Sequence, residues 1–77
     1  MIRLHVDVIG LNRLPLAPAI RTEMVADVAR AARQAVRDSF QSMLDRTQSQ
    51  GFWGKAKRSV NPPVIRDNKA TIDITHI

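Results

Sequence analysis

Hydrophobic and polar positions alternate at the start of the chain, with Ile2, Leu4, Val6 and Val8 on one side and Arg3, His5 and Asp7 on the other. Successive side chains of a strand point to opposite faces, so Met1 to Ile9 is predicted as a half-buried strand. From Pro18 to Gln48 the period becomes helical, and the apolar positions fall into two seams. One seam is Ile20, Met24, Val28, Ala31 and Ala35, running on into Asp38, Ser39 and Ser42. The other is Val25, Ala29, Ala32, Val36, Phe40 and Met43, with Leu44 at its margin. A helix with a single stripe needs one partner. Two seams leave two arrangements open: the N-terminal half packs on one surface and the C-terminal half on another, such as a neighbouring subunit, or the whole helix lies in a broad sheet groove. In either arrangement Ile20, Met24, Val28, Val36 and Phe40 are expected to be largely buried.

The end of the chain returns to a period of two. In Lys69 to Ile77, Ala70, Ile72, Ile74 and His76 share one face and Thr71, Asp73 and Thr75 the other. Asp67-Asn68 reads as a turn joining this strand to a hairpin partner at Val64 to Arg66. The pattern breaks off at Ile77 with no turn residue after it, as in a piece of a longer chain. The order is strand, long helix, irregular basic loop and hairpin, an α+β domain with one long helix packed on a small, mostly antiparallel sheet.

Local chemistry sets the helix limits. Pro18 suits the first helical position, where its missing N–H leaves nothing unbonded, and Pro15 disfavours an earlier start. Glu23 and Asp27 are placed in the first turns to complement the helix dipole, and Arg46 in the last. Gly51 is expected to take a positive φ beyond the helix end. Between the first strand and the helix, Leu11, Leu14 and Leu16 mark Gly10 to Ala17 as a connection that packs. In Gly51-Phe52-Trp53-Gly54 the glycines free the backbone to place two rings, as a plug for the helix end or as an anchor for a partner.

Composition narrows the class. A chain of 77 residues is one domain. At this size only ~60–65% of the unfolded surface is buried, and oligomerisation would relieve the marginal core. The absence of cysteine rules out a disulfide framework and thiolate metal sites and fits a reducing compartment. No apolar run is long enough to span a bilayer, and the chain reads as soluble, with no membrane partner.

Chemical motifs are missing. His5 and Asp7 share a face of the first strand, and Asp73 and His76 lie near the end of the last, but their spacing matches no metal or triad signature. With no phosphate-binding glycine loop and no nucleophile elbow either, the chain is read as neither an enzyme nor a cofactor protein. The remaining signal is a net charge of +5. Arg30, Arg33 and Arg37 line one side of the helix, and Lys55, Lys57, Arg58, Arg66 and Lys69 follow closely in sequence. Cations so grouped are candidate phosphate contacts, Arg30, Arg33, Arg37, Lys55, Lys57 and Arg58 foremost, and carry a second reading as a small basic nucleic-acid-binding domain. Asp27, Asp38 and Asp45 flank the arginines, as on an ordinary solvated face.

The order of features resembles one family. An N-terminal segment, a long Ala- and Arg-rich helix (Val28 to Val36), an aromatic near its end (Phe40), a Gly-Phe-Trp loop (Gly51 to Trp53) and an Ala-Thr-Ile-Asp-Ile strand (Ala70 to Ile74) together look like the tailed-phage virion morphogenesis family of neck, tail-completion and minor tail proteins. The resemblance implies a phage or prophage structural protein. Its subunits would assemble, often as rings, with copies of themselves and with other virion proteins where head and tail join or where a tail is completed. It further implies residence in the virion and, during assembly, in the bacterial host cytoplasm. The interface residues expected on this reading are Phe40, Met43, Leu44, Phe52 and Trp53.

Overall fold

A computed structural model describes residues 1–10, 13–47, 50–66 and 69–76. Strand β1 (Ile2–Asp7) is followed by helix α1 (Pro18–Arg46), helix α2 (Gln50–Arg58), strand β2 (Val64–Arg66) and strand β3 (Lys69–Ile74). The three strands form one antiparallel sheet in the order β1-β3-β2. This is the expected α+β architecture, with one helix more than the sequence pattern predicts.

The central strand supplies the core, with Ala70, Ile72 and Ile74 buried on the face turned to α1. Ile72 and Ile74 cluster with Val60 under Leu4, Val6, Ala32, Val36 and Phe40, and Ala70 clusters with Val25 and Ala29 under Val6, Val8, Leu16 and Ile65. The second seam of α1 is therefore the one that meets the sheet. The first seam turns away: Ile20 is 49%, Met24 39% and Val28 45% exposed, contrary to their expected burial. One three-stranded sheet covers one side of a helix, and the seam closer to its centre occupies that side.

Pro18 stands at the first helical position of α1, and Arg46 is in its last turn. The first turn holds no carboxylate; Glu23 and Asp27 fall in later turns, where the dipole field has largely decayed. The connection before α1 packs through Leu16, whereas Leu14 is half-exposed and Leu11 lies outside the described residues. The predicted last helical residue, Gln48, the turn at Asp67-Asn68 and the terminal Ile77 also lie outside them.

The stretch read as an irregular loop is α2, which includes Gly51 and Gly54. Among the described glycines only Gly10 has a positive φ, at 83°. Packing outweighs the cost of glycine here: Ala56 is completely buried, and Trp53 lies over α1. The need for α2 follows from lengths. A 29-residue helix spans about 44 Å and a six-residue strand about 20 Å, so α1 overhangs the sheet and α2 packs on the overhang.

Candidate functional site

Four groups of side chains are candidates for function, and the first is the aromatic row at the overhang. The ring of Trp53 lies 5.7 Å from that of Phe40 on α1 and 5.0 Å, edge to face, from Phe52; Phe52 in turn lies 5.6 Å from His76. These four rings tie α1, α2 and the residues after β3 together. Of the five residues expected at an interface, Phe40, Leu44 and Trp53 are half-buried and serve the fold, while Met43 (39%) and Phe52 (45%) are exposed. His76, placed by its period on the same face as Ala70, Ile72 and Ile74, lies beyond the end of β3 and is exposed.

The second group is the line of cations. Arg33 donates from Nε to the carbonyl oxygens of Val60 (3.2 Å) and Asn61 (3.1 Å) and from a terminal nitrogen to Val60 (2.9 Å). It pins α1 to the segment before β2, a task that its place in a row of arginines does not announce. Arg30 pairs with Asp27, and Lys57 donates to Gln41 Oε1 at 2.7 Å. Arg37 is half-buried, and its Nε is shielded from solvent with no hydrogen-bond partner among the described residues. Lys55 and Arg58 are exposed on α2. The remaining cations, Arg66 and Lys69, face each other at the far end of β3, about 17 Å along the strand from the end beside α2. The basic run in the sequence is thus divided between two ends of the domain.

The third group occupies the sheet face away from the helices. Arg3 pairs across β1 and β3 with Asp73, its Nε 2.8 Å from Oδ1, while His5 stands opposite Thr71 and Asp7 opposite Lys69. Hydrogen bonds from Arg3 hold the Asp73 carboxyl below the ordinary carboxylate value; partial burial opposes this, and the charges of Arg3 and His5 add to the lowering. His5, Asp7, Arg66, Lys69 and Thr71 line an open depression of about 570 Å³. His5, Asp7 and Asp73 thus share a face, and His76 is not with them. Among the described residues, no three His, Cys, Asp or Glu side chains are placed to hold a metal ion.

The fourth is the exposed seam of α1. Val60 bridges Ile74 on the side of β3 away from β1, so Arg33, which reaches Val60, points to the β2 side of the sheet. At ~3.6 residues per turn, positions 24, 28, 31 and 35 lie roughly opposite Arg33 around the axis and therefore on the β1 side. Ile20, Met24 and Val28 form an apolar stripe there that the domain leaves about half exposed. The sequence contains this stripe in full, but which of two seams a sheet covers is a property of the packing. Among the described residues, no helix is long and apolar enough to cross a membrane. No family model, curated protein or solved structure matches this chain.

Proposed function

We propose that this chain is a structural subunit of a tailed-phage particle, acting through protein–protein contacts at the head–tail neck or in tail completion. The observation that carries the reading is the α1 stripe: Ile20, Met24 and Val28 are each between 39% and 49% exposed, on a domain whose fully buried core is small. Contiguous apolar surface on a small domain favours burial against another protein. The order of features along the sequence supplies the virion setting. Of the five residues first expected at the contact, Phe40, Leu44 and Trp53 are half-buried within the fold, and Met43 and Phe52 are exposed.

Light scattering over a wide concentration range, alone and with neck or tail proteins added, tests the proposal. Assembly with itself or with such a protein, weakened by Met24→Glu, is the expected result. A particle that stays monomeric and ignores every virion protein, yet binds DNA with a steep salt dependence, would instead favour the nucleic-acid reading.

A further inference from the structure

We infer that two copies of this chain join through their β1 strands, edge to edge and antiparallel about His5, to form a continuous six-stranded sheet. The inference rests on the reading of the chain as an assembling subunit and names one partner, a second copy. Of the two sheet edges, the β2 side is ill suited to pairing: β2 has only three residues, Pro62-Pro63 precedes it, and Val60 already occupies the far end of β3. The β1 edge is different. It runs for six residues without proline, and among the described residues its only ladder is with β3. Its outer backbone groups form an open template.

The charges on β1 select the occupant and its direction. Arg3, His5 and Asp7 all face outwards, with Leu4 and Val6 turned to the core. In an antiparallel self-pairing centred on His5, Arg3 of each copy stands opposite Asp7 of the other, and Leu4 opposite Val6. A parallel in-register pairing would set like charges against each other. With the existing neighbours, the outer face would carry a cross-strand row of Lys69, Asp7, Arg3 and Asp73, the last two from the second copy, and both carboxylates would then lie between or beside cations. A two-fold axis reproduces this row twice, as an isologous contact requires.

The α1 stripe lies on the same side. By helical geometry the exposed Ile20, Met24 and Val28 turn to the β1 side, so the two stripes of such a dimer would face each other above the joined strands. Helices centred over their β3 strands would be about three strand spacings, roughly 14 Å, apart, wider than the ~8–10 Å of direct helix packing. The strands therefore carry the contact, and the longer side chains of the stripe cover it.

Charge swapping with sedimentation velocity tests the arrangement. Arg3→Asp and Asp7→Arg each replace both cross-pairs by like charges and should weaken self-association about tenfold. An equimolar mixture of the two variants restores opposite charges at both pairs, one protomer carrying two carboxylates and the other two guanidinium groups, and should dimerise at least as well as the parent chain. Amide hydrogen exchange of the parent gives a check that needs no variant: β1 amides that exchange freely at low concentration should become protected as concentration rises. Dimerisation unaffected by either reversal, no rescue in the mixture, or β1 protection independent of concentration overturns the inference while leaving assembly through another surface intact. A parent chain that stays monomeric at millimolar concentration overturns it as well, and binding of that monomer to a neck or tail protein would keep the broader proposal.

Discussion

Arg33 and Trp53 each join elements of this small domain that are distant in sequence. Arg33→Met keeps the aliphatic stem but leaves the carbonyls of Val60 and Asn61 without their donor; a loss of about 1–3 kcal/mol in urea unfolding is expected. Trp53→Ala removes the ring between Phe40 and Phe52. Because the indole is half-buried, the cost should be about 2 kcal/mol, below the ~3–5 kcal/mol of a fully buried tryptophan, with native fluorescence intermediate between buried and water-exposed. Val36→Asp sets a carboxylate against the cluster of Val60, Ile72 and Ile74 and should unfold the domain, as seen by loss of cooperative melting. The buried alternation of Ala70, Ile72 and Ile74 was legible from sequence because period two leaves one choice of face. The burial of Val25 in place of Met24 was not, since both lie in apolar seams.

Among the elements, β1, α1 and the β2–β3 hairpin follow from periodicity, proline placement and strand composition. α2 does not show in the sequence pattern because glycine at two of its nine positions signals a turn, whereas its helical spacing of Trp53 and Ala56 spans less than one turn. The structure inverts the usual expectation for those glycines. A Cβ at Gly51 meets nothing within 4 Å, and one at Gly54 comes within 3.9 Å of Leu44 Cδ1, an ordinary contact. Gly51→Ala and Gly54→Ala should each stabilise the domain by about 0.5–1 kcal/mol, seen as a rise in the denaturation midpoint. Gly10→Ala should have the opposite effect, since its φ of 83° is strained for any side chain.

At the scale of the whole molecule, the ion pair between β1 and β3 links stability to pH. Asp73 is held below its ordinary carboxylate value, so its contribution is fully present above the unfolded value of about 3.9 and is lost as pH falls through the lower folded value. Comparison of urea midpoints for the parent chain and Asp73→Asn should show a difference that is constant from neutrality to about pH 5 and shrinks below pH 4. The sequence by itself determined which segments are strand or long helix and which face of β3 is apolar, because these depend on neighbours a few residues apart. Tertiary structure alone decided that Val25 rather than Met24 faces the sheet, that Gly51 to Gly54 is helical and that Arg33 holds the β2 side. It also left the apolar stripe of α1 beside the open edge of β1. Each of these depends on which surfaces compete for a limited area of sheet, and that competition is settled only when elements distant in the chain are packed together.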